Sequence, residues 1–127
     1  MNGFPNISNA EWQVMKVLWS KAPISSSEII DGLKEENSWS PKTIHTLISR
    51  LVKKEAVGVN KEGSFNLYYP LVTEEECKSA ETKTFLHKVY DGSLKLLLKN
   101  FIEDKHLSTE EIDELRKILD EESRGKK

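Results

Sequence analysis

Lys42, Thr43, His45, Thr46, Ser49, Arg50 and Lys53 fall at spacings that bring them together if the segment is helical. At about 100° per residue they share one face, while Ile44, Leu47, Ile48, Leu51 and Val52 occupy an opposite arc of roughly 140°. Short hydroxyl side chains let a helix approach another surface closely. They can hydrogen-bond base edges or phosphates, and a Thr methyl can pack on a thymine methyl. Lys42 and Arg50, at opposite ends of the face, suit phosphate or guanine contacts. No Asp or Glu occurs in residues 37–54, and residues 40–61 hold five Lys or Arg against the single acid Glu55. Asn60 and Lys61 follow at the tip of a turn that could track a nucleic-acid backbone. The competing explanation is a merely solvated face, the fate of most charged helix faces, and domains of this kind also serve as protein–protein modules.

Other chemistries lack their parts. His45, His87, His106 and Cys77 match no metal-ligand spacing, so no metal or cofactor is expected. No nucleophile sits with a base and oxyanion donors, which argues against an enzyme. Gly58 and Gly63 form no phosphate-cradling loop and fall instead in a hairpin. Trp12, Trp19, Phe65 and Tyr69 could stack on single-stranded bases, but their spacing beside other apolar residues reads as core.

The elements that must position the polar face are marked by their starts. Ser8 with Glu11, Ser25 with Glu28, Thr73 with Glu76, and Ser108 with Glu111 are capping boxes, in which each side chain satisfies an orphan backbone N–H. Ser40 lacks the Glu but precedes Pro41, which needs no N–H at the first helical position. Each start also has an apolar staple: Ile7 with Trp12, Ile24 with Ile29, Trp39 with Ile44, Val72 with Cys77, and Leu107 with Ile112. Helices are predicted over about 9–20, 26–36, 41–55, 74–90, 94–102 and 109–122, with a break at Asp91-Gly92 and fraying after about 121. Between the third and fourth the period drops to two, at Val57 and Val59 and again at Phe65, Leu67, Tyr69 and Leu71. With Glu62-Gly63 between them, these runs predict a β-hairpin.

Three helices and a hairpin predict a mainly α fold: a winged helix-turn-helix over 1–72, then a helical region over 73–127. With 127 residues, 37% hydrophobic and 31% charged, there is room for one modest core and little more. The net charge of −2 is uneven, with eight bases against seven acids up to Val72 and eleven against fourteen beyond it. A single cysteine excludes an internal disulfide and points to a reducing cytoplasm. Residues 1–5 lack the pattern of a signal peptide, and no apolar run approaches the roughly 18 residues of a membrane span, so no membrane insertion is expected. The C-terminal helices are too small to bury Phe85, Leu86, Val89, Leu97, Ile112, Leu115 and Leu119 by themselves. That predicts a homodimer, which presents two recognition helices to an inverted repeat in double-stranded DNA.

The chain resembles the penicillinase repressor (BlaI/MecI) family of bacterial transcriptional repressors. The likeness rests on Ala10-Glu11-Trp12-Gln13-Val14-Met15 with Leu18-Trp19, and most specifically on the run from Lys42 through Leu51. Lys83-Thr84-Phe85-Leu86, with Tyr90 and Gly92, fits the family's dimerisation helix. The resemblance implies a winged-helix dimer that binds an inverted-repeat operator and represses β-lactam-resistance genes. It places Lys42, Thr43, Thr46 and Arg50 on DNA-facing positions. His45 departs from the Arg that some relatives carry there. A copper-responsive branch carries a C-terminal cysteine cluster that this sequence lacks, and a small-molecule sensor of the multiple-antibiotic-resistance type would place dimer helices before the core as well. The sequence marks no effector pocket. The family's release mechanism is proteolysis linked to a membrane sensor, and the resemblance sets that cut at Asn100-Phe101.

Overall fold

The computed structural model describes residues 4–125. The element order is α1 (Asn9–Lys21), α2 (Ser26–Leu33), α3 (Pro41–Lys53), β1 (Val57–Asn60), β2 (Leu67–Pro70), α4 (Glu74–Tyr90), α5 (Leu94–Glu103) and α6 (Thr109–Gly125). The chain forms two compact units that divide between Ala80 and Glu81, inside α4.

In the first unit, all three helix starts form as their sequences dictate. Ser8 and Ser25 exchange hydrogen bonds with Glu11 and Glu28, and the Thr43 N–H donates to Ser40 Oγ at 3.2 Å ahead of Pro41. The apolar stripes then meet. Val14, Met15 and Leu18 of α1 pack with Ile29 and Leu33 of α2 and with Ile44, Leu47, Ile48 and Leu51 of α3. Each is at most 5% exposed, and burying such a side chain contributes about 1.5–3 kcal/mol.

α3 ends two residues short of the predicted limit because the chain turns left-handed at Glu55, with φ of 66°. The Glu55 N–H donates to the Val52 carbonyl and the Ala56 N–H to the Leu51 carbonyl, both at 3.0 Å, which is a Schellman closure. This turn aims the chain directly into β1. The hairpin is antiparallel, with Val57 opposite Pro70 and Gly58 opposite Tyr69.

Here the predicted phase of the second strand needs correction. Tyr68, not Tyr69, packs against the core, while Phe65 is 72% exposed and outside the strand. The cause is a third extended segment. Ile24 pairs with Tyr68 through two hydrogen bonds, of 3.2 and 2.7 Å, and fixes which face of β2 turns inward. Tyr69 turns outward, where its ring covers Gly58; a Cβ there would lie 2.6 Å from the ring.

The first turns of α4 belong to this unit. Cys77 is 1% exposed, and burial with the neighbouring Glu76 carboxylate pushes its thiol pKa up. Trp19 Nε1 donates to the Val72 carbonyl at 3.0 Å, fastening α1 to the entry of α4.

In the second unit, Asp91 and Gly92 take positive φ, at 52° and 86°, and end α4 at the predicted break. α5 closes with the same device as α3, through Lys105 at φ 58° and the His106 N–H to the Phe101 carbonyl. α6 starts from the Ser108–Glu111 capping box and continues to Gly125, past the predicted fraying point.

One ion pair ties the fold to the end of α3. The Glu11 carboxylate is buried, caps the Ser8 N–H at 2.8 Å and accepts from Lys54 Nζ at 2.6 Å. Lys54 also donates to the Asn6 carbonyl at 2.7 Å. Burial alone would raise the Glu11 pKa, but the Lys54 hydrogen bond, the Ser8 N–H and the Lys54 charge together outweigh it and hold the pKa below 4.5. A carboxyl lowered on folding stabilises the fold above its ordinary pKa, and that contribution is lost as pH falls through the folded value. Glu11→Gln keeps the capping geometry but removes the charge, and should cost about 2 kcal/mol at pH 7. Urea denaturation at pH 7 and pH 3 should show the gap between wild type and variant closing at the lower pH.

Candidate nucleic-acid interface

The buried stripe of α3 leaves the opposite face no choice but to point outward. Lys42, Thr43, His45, Thr46, Ser49, Arg50 and Lys53 are all exposed, and the first turn of α3 carries no acid. Only part of their hydrogen-bonding capacity is used within the protein. Thr43 Oγ1 lies 3.1 Å from Ser40 Oγ, so one hydroxyl donates to the other. The Thr46 hydroxyl donates back to the Lys42 carbonyl at 3.0 Å. Towards an outside partner, Thr46 therefore offers oxygen lone pairs and a methyl group rather than a free O–H.

The hairpin follows α3 after one tight turn. Asn60 closes β1, and Lys61 begins the loop to β2; both are exposed. Asn60 Oδ1 accepts from the Glu62 N–H at 2.9 Å, a short turn that holds the side chain in place while its amide nitrogen remains a donor. The structure thus places all nine candidate residues on the surface of the first unit, seven on α3 and two at the hairpin tip.

Lys54 is the exception within the basic run, since its ammonium is engaged by Glu11 and Asn6. Sequence reasoning assigned Glu11 only its capping role and so missed the pair. The two residues lie 43 apart, and no local pattern marks such a contact.

Among the described residues, no group of three or more His, Cys, Asp or Glu could hold a metal ion. His45 lies on α3, Cys77 and His87 on α4, and His106 beyond α5. No helix among the described residues is long and apolar enough to cross a membrane. The sequence marked no effector pocket, yet a cleft of about 680 Å³ opens between the end of α1, the hairpin and the first turn of α4. It is assembled from side chains far apart in sequence, which is why it left no motif.

Three helices, a hairpin paired to a third extended segment, and an acid-free outer face on the third helix define a winged helix-turn-helix protein. The chain belongs to the penicillinase repressor family, whose pattern it matches over residues 7–121. It is 42% identical to a penicillinase repressor of Bacillus licheniformis over 127 residues, covering all of this chain and 99% of that relative. It is 45% identical to the methicillin resistance regulatory protein MecI of Staphylococcus aureus (strain N315) over 113 residues, 89% of this chain and 92% of that one. Among solved structures it resembles the monomeric form of B. licheniformis BlaI in complex with the blaP half-operator. There the TM-score is 0.53 at 43% identity, over 60% of this chain and 93% of the other.

Proposed function

We propose that this protein is a homodimeric transcriptional repressor that binds an inverted-repeat operator in double-stranded DNA through α3, with the hairpin following the adjacent backbone. The observation that carries the proposal is the outer face of α3, seven exposed polar or basic side chains on a helix whose other face is locked into the core. The likeness to a BlaI solved on a half-operator supports it, and the names of the relatives support β-lactam-resistance genes as the target. Lys42, Arg50, Lys53 and Lys61 reach phosphates. Thr43, His45, Thr46 and Ser49 read base edges, and Asn60 braces the hairpin against the backbone. No cofactor or catalysis is involved, and the protein acts in the cytoplasm.

The second unit supports the dimer. Beyond Cys77 no described residue is buried, and Phe85, Val89 and Leu119 are exposed by 45%, 51% and 61%. Leu86, Leu97, Ile112 and Leu115 are half-buried, and with the exposed side chains they form the apolar surface that a second copy covers.

Release from DNA proceeds by cleavage at Asn100-Phe101, following a membrane sensor linked to a protease. Both residues are exposed on α5. Asn100 Nδ2 donates to the Tyr90 hydroxyl at 3.0 Å, and the Phe101 ring lies 5.5 Å from that of His106. α5 has to open locally before its backbone fits a protease. A cut there detaches α6, and with it Ile112, Leu115 and Leu119. Each monomer then loses the affinity gained from tethering two half-sites.

Three measurements test these statements. On a site selected from random DNA, Arg50→Ala should weaken specific and random duplexes alike. It should also flatten the salt slope by about one unit for each phosphate left without its cation in each half-site. Thr46→Ala should instead relax preference at one base pair, by about 1–3 kcal/mol; equal weakening on both duplexes would contradict base readout. In sedimentation, the full chain should run as a dimer and the Val89→Glu, Leu119→Glu variant as a folded monomer, whereas a dimeric variant would remove this face from the interface. Finally, cells carrying the sensor should yield, on induction, a fragment ending at Asn100 by mass, and derepression with the chain intact would refute the cleavage route.

A further inference from the structure

The cleft in the first unit is lined by apolar, aromatic and acidic side chains. Leu18 and Leu67 line it with the aromatic rings of Trp19 and Tyr69, and Glu74 and Glu75 line its edge on α4. Among the described residues, no Lys, Arg or His lines it. Carboxylates are favoured at any helix start, but the three here differ in what they do. Glu76 is engaged in the capping box with Thr73, and Glu74 meets Lys78 at 3.5 Å across an exposed pair. The Glu75 side chain is exposed and makes no hydrogen bond or ion pair among the described residues. The Trp19 N–H is already bonded to the Val72 carbonyl and its ring meets that of Trp12 edge-on, so towards the cleft Trp19 contributes apolar ring surface rather than a donor.

Aromatic rings beside carboxylates, of which only Glu74 already meets a base, favour a cation with an apolar body. Such a ligand gains burial from the leucines and rings, attraction to the ring faces, and Coulomb attraction to the glutamates. A volume of about 680 Å³ is within the range of sites for drug-sized molecules. We infer that this cleft binds an organic monocation with an aromatic or bulky apolar body. Asn60 lines the cleft as well as closing β1, so an occupant shares a residue with the proposed DNA face. Occupancy and DNA contact by the hairpin then oppose each other, and by linkage each weakens the other.

The probe is rhodamine 6G, a cation, compared with fluorescein, an anion on the same ring skeleton, by fluorescence anisotropy with the full chain. Rhodamine 6G should bind saturably, one per chain, and fluorescein about tenfold more weakly or less. A Glu74→Gln, Glu75→Gln variant, shown folded by circular dichroism, should lose about fivefold or more of the rhodamine affinity. Rhodamine 6G should also lower the DNA affinity of the wild type more than that of this variant, which controls for dye bound to the duplex. Equal binding of both dyes, non-saturable binding, or an unaffected variant would overturn the site. Equal displacement of DNA from both proteins would overturn the coupling. The dye arms need no DNA, so a chain that binds rhodamine 6G but no operator would refute the repressor proposal and leave the cleft standing.

Discussion

The constraint on which the structure depends is the double duty of α3. One face must be buried for the first unit to have a core, and the other must stay polar and free of acids to meet a polyanion. Ile44, Leu47, Ile48 and Leu51 fix the rotation of the helix about its own axis. Its two ends are then held separately. Ser40 caps the start, while the left-handed Glu55 turn and the Glu11–Lys54 pair hold the finish. A helix so clamped presents Lys42 through Lys53 in one orientation before any partner arrives. Pre-organisation of this kind lowers the ordering cost of binding.

Much of this was legible because it is local. Capping boxes and Pro41 involve residues three or four apart, and the structure forms each of them. The outer face of α3 was legible too, since helical periodicity alone separates it from the apolar stripe. What escaped was long-range. The pairing of Ile24 with Tyr68 sets the phase of β2, so an alternation that looked continuous from Phe65 to Leu71 turned Tyr69 outward instead of inward. Lys54 looked like one more base in a basic run until Glu11, from another helix, was placed beside it. Cys77 is buried where Trp19 fastens Val72 to α1, a contact spanning 53 positions.

The two units differ in how complete they are. The first has a closed core drawn from three helices and the hairpin, and it retains the opening turns of α4. The second has no buried residue among those described, and its apolar side chains stay on the surface of the single chain. A small helical unit of this kind gains stability by association. The proposed coupling of repression to dimerisation, and of release to a cut within α5, is built on that division.

If the outer face of α3 lies in the major groove, a cleavage reagent tethered to that face will cut the DNA beside it. Cys77 is buried with a raised thiol pKa, so a Ser49→Cys variant has one reactive thiol to which an iron chelate can be attached. On a duplex carrying the selected site, cleavage should appear as two clusters of cuts, one centred on each half-site, with the strand offset of a major-groove origin. Cuts spread evenly along the duplex, or no stronger than those from the free chelate, would mean that α3 does not face the DNA.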